Sequence, residues 1–351
     1  MFFREMQFLR VPYAFLFILW LACSAPLDPP LNQKIEWNRS ASFPEKRAGC
    51  AVGAIHGRLV LAGGTYWEGT KGHWTKKVFS ASTHAFNPTK QSWEKLPDVP
   101  VPLGYAASTV IDERLFVMGG YTGHEVNRKI FTLEQRSTGY TWSTFGEMPE
   151  GRLFARAVSV DKSIYLLGGT TKFEPLDANG ACCTSKTAVN TLLVLNTADP
   201  DKVWKELRPF PGAKRFLFAS DTDGKSLWMF GGISQEEKND PITKFREALR
   251  YHFAEANWKE MPPLPEGTLD SDPLTCLVIN DKILFVSFAG RVWQLDLKTL
   301  EYSELNRFPE EVFVDKFVWL NNRIIGAGGE NKIEGPRRRS DWTFIGKYVA
   351  K

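Results

Sequence analysis

Histidine and cysteine are both scarce, five of each in 351 residues. None of them is spaced like a metal site, so neither a metal nor a cofactor is expected. An excess of one charge is also missing. With 44 Lys and Arg against 40 Asp and Glu, the net charge is +4. That near balance argues against a nucleic-acid partner, which needs a clustered basic surface. Glycine and aromatics are plentiful instead: 28 Gly, 25 Phe and 12 Trp. This composition points to many short strands and tight turns rather than helices, and a single large all-β domain accommodates the length.

The first 25 residues have the pattern of a targeting segment. Arg4 and Arg10 flank the start, and the apolar core VPYAFLFILWLA spans only 12 residues. That is too short to cross a bilayer comfortably as a helix. WLACS then puts Cys23 after a small residue, which resembles a bacterial lipoprotein cleavage box, although Trp20 stands where an aliphatic residue is usual. Two routes stay open here: a lipid anchor at Cys23, or ordinary secretory cleavage near Ser24. Residues 26–34 follow as a proline-rich tether. Either route predicts an exported protein, in the periplasm or anchored to a membrane as a bacterial lipoprotein. Of the remaining cysteines, Cys50 and Cys276 lie in apolar strand patterns and are expected to pack in a core. Cys182 and Cys183 adjoin each other in a loop, where an oxidising compartment would let them pair or stay free.

The chain repeats itself. GRLVLAGG (57–64) recurs as ERLFVMGG, KSIYLLGG, KSLWMFGG, a worn KILFVSFAG and NRIIGAGG, six copies in all. Each is a β-branched and aromatic strand ending where the backbone must turn sharply. Between the copies falls a second unit, an aromatic residue, a short polar strand and a proline: SWEKLPDVP, TWSTFGEMPEG, VWKELRPFPG, NWKEMPPLPEG and EYSELNRFPEE. The pattern resembles the kelch repeat, whose period is roughly 50 residues. The resemblance implies a six-bladed β-propeller over residues 35–351, one four-stranded blade per copy. IEWNRSASFP (35–44) is a second-type unit with no glycine strand before it, and the last copy lacks one after SDWTFIGKYV. The N-terminal segment is therefore expected to supply the outer strand of the last blade.

In such a blade, the loop after the glycines and the connection into the next blade emerge on one face, so the residues they carry are expected to line a shared depression. From the connections come Arg47, Tyr105, Arg156, Arg215, Asp270, Asp272 and Asp315. From the glycine loops come Tyr66, Trp67, Glu68, His124, Gln235, Arg291, Glu330 and Arg339. Loops on a rigid scaffold commonly carry binding groups. Converging arginines favour an anionic ligand, and Tyr66, Trp67 and Tyr105 offer flat faces to a sugar ring. The plainer reading stands beside this: arginines at such turns can cap strand ends or pair with neighbouring acids. Lys76 and Lys77 are expected to be exposed, and His56, His84 and His252 to serve packing or surface roles.

The stretches LVLAGGTYWEGTKG, WEKLPDVPVPLGYAAS, VWKELRPFPGAKRF and, above all, GGENKIEGPRRRSD (328–341) are similar to the bacterial kelch propellers of the N-acetylneuraminate epimerase (sialic acid mutarotase) family, in its cyclically permuted branch. The resemblance implies a mutarotase for an acidic sugar that needs no cofactor, with Glu330 as the catalytic acid residue and Arg339 as its partner arginine. The loop here is a few residues longer than the family's, so Arg337 or Arg338 could take the arginine's place and Glu334 the acid's. Ring opening of a sugar needs a proton taken from the anomeric hydroxyl and one delivered to the ring oxygen; a carboxylate can do the first. An arginine would hold the substrate carboxylate and steady developing charge. A copper radical oxidase on the same scaffold would need two histidine ligands in suitable loops, and none stands there. A non-catalytic propeller that binds a glycan or a protein partner is the alternative reading, because fold alone does not decide function.

Overall fold

The computed structural model describes residues 33–70, 73–174, 184–237, 240–267, 274–331 and 339–350. The expected targeting segment, Cys23 and most of the tether lie outside them, as do Cys182, Cys183, Asp270, Asp272, Glu334, Arg337 and Arg338.

The described residues form six antiparallel sheets built on four strands each, numbered here along the chain, with two short ribbons besides. Their innermost strands are Ala48–Ile55, Ala107–Ile111, Arg156–Val160, Ala219–Thr222, Leu274–Ile279 and Val318–Leu320. The six glycine-ended strands of the repeat come second in each sheet. In the first sheet a hairpin arm extends this plan, because Arg58–Thr70 runs on past its glycines and pairs with His73–Phe79. The sixth sheet draws on both ends of the chain: Gln33–Arg39 pairs antiparallel with Thr343–Ala350 as the outermost strand. Asn306 fastens it by accepting from Ile35 N and donating to Ile35 O, both at 2.7 Å.

Side-chain alternation explains how the sheets stack. Successive residues of a strand point to opposite faces, and here both faces are covered, so the strands read as continuous apolar runs. Leu59 and Leu61 pack with Ile325, Ala327 and Ile345 of the sixth sheet. Val60 and Ala62, which alternate with them along the strand, pack with Leu115 and Val117 of the second. The same apolar seam joins the second sheet to the third, the third to the fourth, the fourth to the fifth and the fifth to the sixth. Each fully buried Leu or Phe contributes about 1.5–3 kcal/mol. This is the packing of β-propeller blades.

A second set of contacts runs around the inner strands. Ser108 Oγ donates to Val52 O and accepts from Val52 N, at 2.9 and 3.0 Å. Ser159 Oγ donates to Val110 O at 2.8 Å, and Arg156 Nε to Phe218 O at 2.8 Å. Asp221 accepts from Val278 N at 2.7 Å, and Thr275 Oγ1 donates to Val314 O at 2.6 Å. Asp315 then accepts from Gly49 N and Cys50 N at 2.8 and 3.0 Å. Every junction between consecutive sheets carries such a link, including that of the sixth with the first. Cys50 and Cys276 are free and buried on these inner strands, as their apolar settings predict.

The glycine pairs are required where the chain leaves one sheet to touch the next. A Cβ on Gly119, at φ +70°, would stand 2.2 Å from Arg152 O, and one on Gly329, at φ +98°, 1.8 Å from Phe313 O. The same close approach lets Gly120 N donate to Arg152 O, and Gly329 N to Arg47 O, each at 2.7 Å.

Candidate functional site

Glu330 is the first residue after the Gly328–Gly329 turn, where its backbone bridges both Phe313 and Arg339. Two residues nine positions apart in the chain are thus brought side by side by the ladder itself. Arg339 Nη1 donates to Glu330 Oε1 at 2.5 Å, while its Nε and Nη2 donate to Thr65 O and Thr65 Oγ1 at 3.2 and 3.3 Å. Burial opposes the charge on Arg339, but Glu330 and the acidic surroundings outweigh it and its pKa is raised. The arginine side chain is 5% exposed and the glutamate side chain 31%. Glu330 is therefore a fixed carboxylate with one side open.

The network continues into the first and second sheets. Thr65 Oγ1 lies 3.3 Å from Tyr105 OH, which accepts from Lys77 Nζ at 2.8 Å. Tyr105 sits at φ +63°, uncommon for a residue with a side chain. Its ring fills the space over Gly49, where a Cβ would be 2.7 Å from the ring, and packs against Phe154 at 4.5 Å between centroids. Lys77 Nζ also lies 5.2 Å from the Trp67 and Tyr105 ring centroids and 5.8 Å from that of Phe173, within range for cation–π attraction. Tyr121 stacks on Phe173 at 4.3 Å and Phe79 meets Tyr121 edge-on at 5.2 Å. Glu330, Arg339, Thr65, Tyr105 and Lys77 thus form one hydrogen-bonded chain, flanked by aromatic faces.

Several expected members are placed elsewhere. Arg47 is corrected: it is wholly buried, its guanidinium donating to Gly63 O, Ser82 O and Ser80 Oγ, contacting His84 Nδ1 and pairing with Glu45. Arg152, at the matching position of the third sheet, likewise reaches Gly168 O, so this arginine is a device of the repeat. Arg215 is corrected too: it is buried, pairs with Glu247 at 2.9 Å and lies over the Phe245 ring. Trp67 pairs with Lys77 across the hairpin arm, but Tyr66 and Glu68 alternate to its other face, away from the Tyr105 side. Arg339 has its donors engaged internally, which corrects its expected grip on a substrate carboxylate. Arg291 forms a two-pronged pair with Glu304, Gln235 is buried against Asp240 O, and His124 is exposed. Arg156 begins the third sheet's inner strand, and Asp315 stands just before that of the sixth.

Lys77 was expected to be exposed and is instead half-buried in the network. Its alternation with the exposed Lys76, opposite Trp67 and Glu68, was the available signal. Thr65 gave none, since its role depends on which strand end meets the Glu330 loop.

Against known families, a kelch motif model matches residues 46–100. Alpha-scruin of Limulus polyphemus is 26% identical over 207 residues, 58% of this chain and 21% of that protein. An N-(sulfonatooxy)prop-2-enimidothioate sulfolyase of Thlaspi arvense is 25% identical over 203 residues, 56% of this chain and 55% of that protein. N-acetylneuraminate epimerase of Haemophilus influenzae (strain PittEE) is 35% identical over 79 residues, 22% of this chain and 20% of that protein. The match thus spans about a fifth of the scruin's length and of the epimerase's. The chain carries kelch repeats.

Proposed function

We propose that this chain is an exported, closed six-bladed kelch propeller that binds a carboxylate-bearing sugar, sialic acid or a relative, and interconverts its anomers. The observation that carries the reading is the Glu330–Arg339 pair, a carboxylate held in place by a buried guanidinium yet open on one side. Such a carboxylate can take the proton of the anomeric hydroxyl while one is delivered to the ring oxygen, and the reverse exchange recloses the ring on the other face. Arg339 acts as a positioning residue: it orients Glu330 through their ion pair and through its own bonds to Thr65. The aromatic faces around Lys77 supply the apolar contact that one side of a sugar ring seeks. The stretch of 35% identity to a protein named N-acetylneuraminate epimerase supports the choice of sugar. The longer alignment to alpha-scruin favours a second reading, a propeller that binds without catalysis.

Proton NMR of freshly dissolved N-acetylneuraminic acid with purified protein separates the two. Faster approach to anomeric equilibrium than in buffer, lost in Glu330→Gln and kept in Glu334→Gln, is the expected result. Ligand signals that broaden without any acceleration would transfer the protein to the binding reading. No change of either kind would remove sialic acid as its ligand.

A further inference from the structure

Arg339 cannot be the group that grips a ligand carboxylate, because its donors face Glu330 and Thr65 and its side chain is 5% exposed. Two other cations lie deeper on the propeller axis. Arg156 begins the inner strand of the third sheet, yet it feels Cys276 of the fifth and Asp315 at the entrance to the sixth. Lys316, two residues before the sixth sheet's inner strand, contacts Ser108 O of the second sheet and feels Asp221 of the fourth, Arg156 of the third and Cys276 of the fifth. Only the centre of a ring lies within reach of so many of its sheets. Both residues are enclosed by these strands but only half-buried, as the walls of an axial well would be.

These cations are under-partnered. Arg156 donates through Nε to Phe218 O, and among the described residues its two terminal nitrogens meet no acceptor. Lys316 Nζ reaches Ser108 O at 3.5 Å, the outer limit of a hydrogen bond. The neighbouring acids do not neutralise them by direct pairing. Asp315 has its oxygens on Gly49 N and Cys50 N, and Asp221 has its own on Val278 N and Thr222 N. Burial pushes both cations below their ordinary pKa range, and an anion seated between them would oppose that shift. With two acids close by, the well suits a single negative charge better than a doubly charged phosphate. It also adjoins the candidate site, because Asp315 feels Arg339 and Arg156 together.

We infer that Arg156 and Lys316 form the seat for the ligand's carboxylate, holding it in the axial well while the ring lies beside Glu330. This rests on the reading of the ligand as an acidic sugar. The pair then determines specificity: a neutral sugar would leave two enclosed cations without their counter-charge.

Calorimetry with the 2-O-methyl glycoside of N-acetylneuraminate tests this apart from catalysis, since that compound keeps the carboxylate but cannot open its ring. Its methyl ester is the control. The wild-type chain should bind the acid at least about tenfold more tightly than the ester, the worth of a charge-assisted hydrogen bond. Arg156→Met and Lys316→Met should each remove that preference while leaving ester binding unchanged. Lys316→Met carries the test if Arg156→Met unfolds, because Arg156 also bridges two sheets. An equal affinity for acid and ester, or a preference kept in both variants, would overturn the proposal. A preserved carboxylate preference without any NMR acceleration would sink the mutarotase and leave this seat standing.

Discussion

Arg47 and Arg339 present the same side chain in segments expected to line one face, yet the structure gives them different work. Arg47 donates to three acceptors within its own sheet, so its removal would take a charged donor from two buried carbonyls and the guanidinium from Glu45. Such losses cost several kcal/mol. Arg47→Met should therefore lower stability by about 3 kcal/mol in chemical denaturation. The variant that remains folded should bind sugar as the wild type does, and a lost affinity would return Arg47 to the site. Sequence could name both arginines but not sort them. An arginine reaches far enough that its partner depends on which carbonyl the fold brings near.

At the level of the element, the repeat was legible because its physics is local. Glycine pairs mark turns at positive φ, and the apolar runs between them mark strands covered on both faces. The expected outer strand at the N-terminal end is Gln33–Arg39, and its Trp37 ring lies over Gly346, where a Cβ would stand 2.6 Å from it. The hairpin arm of the first sheet escaped the reading, since its strand continues through the glycines that elsewhere end one. That continuation is what turns Lys77 toward Tyr105. The links between inner strands were equally hidden, because a serine on a strand says nothing about the backbone opposite. Ser108 meets both polar groups of Val52, so Ser108→Ala should destabilise the propeller by about 1–3 kcal/mol. A urea midpoint unchanged from wild type would mean that the seam is held by its apolar contacts alone.

For the whole molecule, two buried groups on the first sheet's borders give opposing pH dependences. Burial lifts Asp315 from 3.8 to about 6 against its hydrogen bonds to Cys50 N and Gly49 N. Burial, then Arg47, lowers His84 from 6.5 to about 4. Between pH 4 and 6 the folded state holds the Asp315 proton that the unfolded chain has released, so this group's contribution to stability falls as pH rises. Over pH 4 to 6.5 the unfolded chain protonates the histidine that the folded state keeps neutral, so that contribution rises with pH. Relative to wild type, Asp315→Asn should gain stability as pH increases across this window and His84→Gln should lose it. Melting temperatures of the three proteins at pH 4, 5 and 6 read the two slopes directly, and parallel curves would refute both assignments.

By itself the sequence determined what repeats: strand, glycine turn and aromatic–proline unit, each set within a few residues by backbone freedom and side-chain alternation. It also pointed to Glu330 and Arg339, through a family resemblance that left Glu334, Arg337 and Arg338 open as stand-ins. Only the tertiary structure decided which cations are engaged internally. Arg47, Arg215 and Arg339 are engaged by groups that the fold delivers from their own or neighbouring sheets. Arg156 and Lys316 are left facing one another's sheets across the axis. That division depends on a fold that brings residues 160 positions apart within electrostatic reach, and no local pattern carries a distance of that kind.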